Sequence, residues 1–312
     1  MGPEFPLISI FAIPALSVFL LGIALVVGLS NKRQPSILAT IFIMMLVSVH
    51  IVQIVLAIYQ PAIYRKLFLT FAYIPMRYVA AYEPPWAPGG LLAYLWSPFS
   101  SALLHTDGPH LFFNGIGLFI FGRTIAWRLG RMGFLLVFAA SSVAGAVAHT
   151  VFYWGSTVPA VGASAGVFGA MGATFRFVPK SDDRLKALFW PDEKLRQLPI
   201  TGILELVTER RSLTYVLLCF VIFPLGLTAL IAGISGNTAV IAHVGGFALG
   251  VFGIRYFDRS GRLPQPERPV ETEFGQKAEP RGLKMLRALA VLMMVAGILM
   301  GILGYWLPAL VF

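Results

Sequence analysis

The chain has 312 residues; 57% are hydrophobic before its 31 glycines are counted, and only 12% are charged. A soluble domain carries roughly 45–50% apolar and about 25% charged residues, and no soluble fold hides so much apolar surface. The composition describes an integral membrane protein and excludes a soluble enzyme, a nucleic-acid binder and a disordered adaptor. The net charge of +10, from 24 Lys and Arg against 14 Asp and Glu, fits the basic excess that membrane proteins hold in cytoplasmic loops. One cysteine, Cys219, leaves no intrachain disulfide and no Cys-based metal site.

A helix crossing needs about 20 mostly apolar residues. Eight candidate spans follow in chain order: 6–29, 36–59, 110–129, 132–154, 163–178, 213–234, 239–257 and 285–307. The first lacks a basic leader and a small-residue cleavage site, and is expected to be a retained span rather than a signal peptide. The fifth is short and rich in Gly and Ala, as expected of a helix packed inside a bundle. Residues 60–109, broken by Pro75, Pro84, Pro85 and Pro88, are too apolar for a plain linker and suggest short helices in the membrane interface. Residues 179–212 mix both charge signs with Leu, Ile and Phe, which predicts a short surface helix. Residues 258–284 are polar and Pro-rich and read as a flexible linker. With these spans, 21 of the 24 Lys and Arg fall on one side and only Arg65, Lys66 and Arg77 on the other. The positive-inside rule then puts both termini outside.

Polar side chains are costly inside a bilayer, so those present are candidates for function. Three clusters sit near the outer ends of their spans. In the run from Trp96 through His105 to Asn114, Asp107 and Pro109 read as a helix start. His110 and Asn114 are then one turn apart on one face, where two donors could hold a developing oxyanion. Interhelical hydrogen bonding is the structural alternative. In Gly162-Ala163-Ser164-Ala165-Gly166-Val167-Phe168, Ser164 falls in the first turn of a helix, where its own N–H is unpaired. Small residues at that spacing also serve close helix packing. In Ala242-His243-Val244-Gly245-Gly246, a neutral imidazole early in an apolar span could act as base for a serine hydroxyl within about 3 Å. The alternative there is a buried structural histidine. Read together, Ser164, His243, His110 and Asn114 come from three spans at one depth. His50 and His149 lack such company and are assigned to packing.

At this point the chain resembles the rhomboid family of intramembrane serine proteases. The similarity covers roughly 36–257, a six-helix core, beyond which the spans 6–29 and 285–307 add one extra transmembrane helix at each end. It rests on the ordered set of His110 and Asn114, then Gly162 and Ser164, then Ala242, His243 and Gly246. The five-residue spacing of His105 and His110, and Trp96 nine positions before His105, agree with it. The resemblance implies an all-α polytopic fold, Ser164 as nucleophile and His243 as its base, with His110, Asn114 and the Ser164 N–H binding the oxyanion. It puts Phe168 against the histidine ring in place of an orienting acid. It implies no metal or cofactor, and a transmembrane protein as substrate within membrane lipid, with no nucleic acid partner. Three positions depart from the family pattern: Ala165 where many members carry Gly, Ser97 where many carry Arg, and Ala126 where a Glu is common.

The rival reading from another class is an inactive rhomboid-like or derlin-like protein that binds membrane clients; retention of both Ser164 and His243 argues for the protease. A transporter is disfavoured because no repeat is visible and the polar groups lie shallow. A membrane esterase or acyltransferase would use the same dyad. The Lys and Arg asymmetry and the lack of organelle-targeting features point to a bacterial inner membrane.

Overall fold

The computed structural model describes residues 35–79, 88–210, 212, 214–215 and 239–258. The expected spans 6–29, 213–234 and 285–307, and the linker 258–284, lie outside the described residues apart from Thr214, Tyr215 and Asp258. The described part is helical, with one isolated antiparallel β-bridge between Tyr73 and Ala160.

Helix α1 (Ile37–Tyr59) is apolar throughout, and at 23 residues it is about 35 Å long. The chain turns at Gln60, and Pro61 opens α2 (Pro61–Phe71), its missing N–H falling where a helix has no partner for one. Two further short helices follow in the loop, α3 (Met76–Val79) and α4 (Leu92–Ser100). Arg77, buried in that loop, donates from Nη2 to the carbonyls of Leu69 (2.6 Å) and Pro88 (2.9 Å). These bonds tie the end of α2 to the approach to α4.

The stretch Gly108–Phe152 is long and apolar enough to cross a membrane, as are Ile37–Tyr59 and Val240–Phe257. It begins as α5 (Gly108–Gly117), passes through a wider π turn at Leu118–Gly122, and continues as α6 (Arg123–Phe152). Gly130, at φ 75°, breaks α6. Past it the chain folds back, so that the Phe134 ring lies beside Gly122. One 45-residue run thus supplies the expected third and fourth spans.

Helix α7 (Ser164–Thr174) is shorter than the expected span 163–178: eleven residues rise about 16 Å, well under a bilayer's hydrocarbon thickness. Every one of its residues is buried. Glycines at each contact let its neighbours approach to backbone distance. At Gly172 and Gly246 even a methyl group would collide with the facing helix. Helix α10 (Ala239–Phe257) and the second half of α6 flank it. On the far side, residues 179–212 carry α8 (Arg184–Phe189), a 3-10 turn at Glu193–Gln197 and α9 (Ile203–Thr208).

The helices have a chemical direction. His110, Ser164 and His243 begin their helices, whereas Arg128, Arg176 and Arg255 lie near the other ends. There Arg128 is buried and paired with Asp258 at 2.8 Å, donates to the carbonyls of Leu195 and Leu198, and lies over the Phe177 ring. Arg176 is likewise buried, donating to the carbonyls of Thr201 and Val251.

Candidate active site

The first turn of α5 is fixed by Asp107, whose Oδ1 accepts the His110 backbone N–H at 2.8 Å. This is the cap that Asp favours at a helix start. It sets the helix phase, and Asn114 follows one turn later, fully buried. Asn114 Nδ2 lies 3.1 Å from His105 Nε2. Burial holds the His105 side chain well below the usual histidine range, so its ring is neutral and Nε2 can accept that bond. His105 is itself held by Gln53 of α1, which accepts from its N–H (3.1 Å) and donates to its carbonyl (3.2 Å).

Gly162 brings the serine segment against this pair. Its φ of +118° is a conformation that favours glycine. A Cβ added there would lie 2.5 Å from His110 Nε2 and 3.7 Å from Asn114 Nδ2. Two residues on, Ser164 starts α7. A cavity of about 200 Å³ opens beside it, lined by Ser164, His110, Thr106, Tyr73, His149 and Ala242 among others. Its walls are joined by backbone pairing across the loop. Tyr73 and Ala160 exchange N–H···O bonds of 3.1 and 2.7 Å, and the Gly162 N–H reaches the Ser101 carbonyl at 2.9 Å.

His243 reaches this region from the first turns of α10. Its ring stacks on Phe168, centroids 4.5 Å apart and planes 5° from parallel. Phe168 is one turn after Ser164 on α7. Gly246, one turn after His243, touches the Ala165 carbonyl so closely that no side chain fits between. Both His243 nitrogens are buried with no hydrogen-bond partner among the described residues, so no Ser164–His243 bond is made here. Catalytic hydrogen bonds often close only once substrate binds.

The supporting residues divide. Trp96 stays away from the cavity and joins the loop helices, its Nε1 donating to the Thr70 carbonyl at 3.1 Å. His105 holds Asn114 and lies 5.0 Å, ring to ring, from His110. The departures from the family pattern each have a local counterpart. The Ala165 methyl sits over Gly145, whose missing side chain leaves the space. Ser97 is buried and bonded to the Tyr78 hydroxyl (2.8 Å), while Arg77 supplies the loop's buried guanidinium. Ala126 is buried beside the end where the Arg128–Asp258 pair lies.

His149, read from the sequence as a packing residue, is buried against the Tyr153 ring and also lines the cavity with Ser164. Tyr73 was missed outright. Its hydroxyl bonds Thr150, and burial pushes its pKa up to about 12.

The serine, the stacked histidine and the His–Asn pair thus converge at one end of a helical bundle. The chain matches the Rhomboid domain family over residues 93–259, just over half its length, and belongs to that family. It is similar to the rhomboid protease GluP of Bacillus subtilis (strain 168), 35% identical over 78 residues, which are 25% of this chain and 15% of that one. It is also 36% identical over 81 residues to the rhomboid-family protein YdcA of the same organism, covering 25% of this chain and 38% of the relative. The similarity thus spans well under half of either relative. No solved structure matches the chain.

Proposed function

We propose that the protein is a serine endopeptidase that cleaves transmembrane protein substrates near the outer membrane face, using Ser164 and His243. The observation that carries this reading is the parallel stack of His243 on Phe168, one turn from a serine that opens on the same cavity as His110. In this mechanism His243 takes the Ser164 proton as Oγ attacks the scissile carbonyl carbon. The resulting oxyanion accepts from the Ser164 N–H, Asn114 Nδ2 and His110. Collapse breaks the C–N bond, His243 gives its proton to the departing amine, and an ester on Ser164 remains. Water, deprotonated by His243, then releases the acid and restores the serine.

Peptide hydrolysis within a bilayer requires a water-accessible cavity, and the substrate helix must unwind locally because its carbonyls are already bonded. Small or helix-destabilising residues in the substrate's outer segment are therefore preferred. The basic ends at Arg128 and Arg176 support an orientation with Ser164 toward the outer face of a bacterial inner membrane and both termini outside. Cleavage of a single-span substrate in liposomes by wild type, Ser164→Ala and His243→Ala tests the proposal. It expects product from wild type alone. Cleavage surviving Ser164→Ala overturns the nucleophile, and a silent wild type that still binds the substrate favours the client-binding protein.

A further inference from the structure

Thr106 makes two hydrogen bonds with one hydrogen. Its Oγ1 lies 2.8 Å from Asp107 Oδ2 and 3.2 Å from His110 Nδ1. A carboxylate only accepts, so the Thr106 proton goes to Asp107. Toward His110 the hydroxyl then offers only a lone pair, and the imidazole must donate from Nδ1. A neutral His110 with its proton on Nδ1 has a bare Nε2. That nitrogen is the one facing Gly162 and the cavity.

We infer that Asp107, acting through Thr106, fixes the neutral His110 tautomer with its proton on Nδ1, so that His110 donates into the cavity only as an imidazolium. Asp107 and Thr106 are thus positioning residues, and His110 meets the oxyanion as a cation. This deepens the proposed protease reading, since the ring's role is that of an oxyanion donor. Asp107 is suited to balance the charge. It is the only carboxylate among the described residues from 35 to 181. The other titratable groups that face His110 are His105 from the preceding turn, His50 from α1 and His243 from α10. Tyr73 and His149 share its cavity. None of them is an anion at neutral pH.

The arrangement also predicts what happens when the charge is removed. Asp107→Asn keeps a side-chain oxygen that still caps the helix. Its amide can donate to Thr106 Oγ1, turning the hydroxyl proton toward His110 Nδ1. The relay inverts, and the neutral ring carries its proton on Nε2.

The test is 15N NMR of histidine-labelled full-length protein in detergent, with the His110 signals identified by their loss in His110→Gln. At alkaline pH the wild type is expected to show His110 protonated at Nδ1, Asp107→Asn to show it at Nε2, and Thr106→Val, which keeps cap and charge, to show a mixture. A wild-type ring protonated at Nε2, or the same tautomer in all three proteins, overturns the inference. These spectra require no turnover, so they decide the relay even if no substrate is cut. In the cleavage assay, wild-type kcat is expected to fall at alkaline pH with the midpoint seen for His110. Asp107→Asn is expected to lose that alkaline limb, while its rate below the midpoint drops about tenfold as a charged donor becomes a neutral one. A purely structural cap would leave the alkaline limb where it is. Normal cleavage with an unaltered spectrum in Asp107→Asn sinks the relay and leaves the protease standing.

Discussion

The imidazole of His243 and the ring of Phe168 lie face to face, 4.5 Å between centroids and 5° from parallel. Among the described residues no carboxylate reaches this histidine, and under the proposed mechanism the aromatic face does the orienting work that an acid does in a triad. An offset or stacked ring contact is worth about 0.5–1.5 kcal/mol beyond its burial. Phe168→Leu keeps most of the apolar volume and removes the stack. It is expected to lower kcat about tenfold with KM unchanged, read in the liposome cleavage assay.

Gly162 should tolerate no side chain. Gly162→Ala forces a methyl group to 2.5 Å from His110 Nε2 at a φ of +118°. Losing one oxyanion donor costs roughly 100- to 1,000-fold in kcat. A fall of about that size is expected, together with a lower thermal midpoint, because a side chain at this φ is strained and its methyl group must displace the His110 ring. Normal activity in this variant would show that His110 is not held in place through Gly162.

Ala165 and Gly145 should be coupled. A methyl at 145 would lie 2.6 Å from the Ala165 Cβ and 2.7 Å from the Ala242 carbonyl, pushing α10 and its histidine away. Gly145→Ala alone is expected to reduce both stability and cleavage. Adding Ala165→Gly should recover part of the loss, giving a coupling energy of about 1 kcal/mol in a double-mutant cycle of thermal stability. The recovery is partial because the Ala242 carbonyl remains in the way.

Tyr73 makes stability pH-dependent at the alkaline end. Burial raises its pKa to about 12, the Thr150 hydrogen bond opposing that rise. A group whose folded pKa lies above its unfolded value of about 10 contributes fully below pH 10 and loses that contribution as pH rises through 12. The thermal midpoint should fall between pH 10 and 12 in wild type, and fall less steeply in Tyr73→Phe. Equal slopes in the two proteins would refute the assignment.

The buried Arg128–Asp258 pair at the opposite end should matter for folding rather than chemistry. Removing one partner of a buried pair leaves an uncompensated charge, typically costing about 3–5 kcal/mol. Asp258→Ala is therefore expected to unfold at markedly lower temperature, measured in detergent, while the folded fraction cleaves at the wild-type rate.

Much of this was legible in the residues because the strongest signals are local. Apolar length gave Ile37–Tyr59 and the seventh span at Ala239–Phe257, and the i,i+4 spacing of His110 and Asn114 holds in α5. What could not be read depends on contacts between distant segments. The eleven-residue length of α7 is set by turns at Phe175 and beyond, where the buried Arg176 bonds both Thr201, 25 residues on, and Val251 of α10. The cavity wall needs Tyr73 to pair with Ala160. His149 looks like any apolar-span histidine until α6 is set beside Ser164. Ala165 stands where many family members carry Gly, and only the close approach of Gly145 shows the space that receives its methyl group.

The most direct test of the central claim, that His243 activates Ser164, is labelling by a serine-directed fluorophosphonate followed by mapping of the modified peptide. Wild type is expected to carry the label on Ser164, with Ser164→Ala unlabelled and His243→Ala folded but labelled at no more than background. Label that persists in Ser164→Ala, or that forms on Ser164 equally fast without His243, would contradict it.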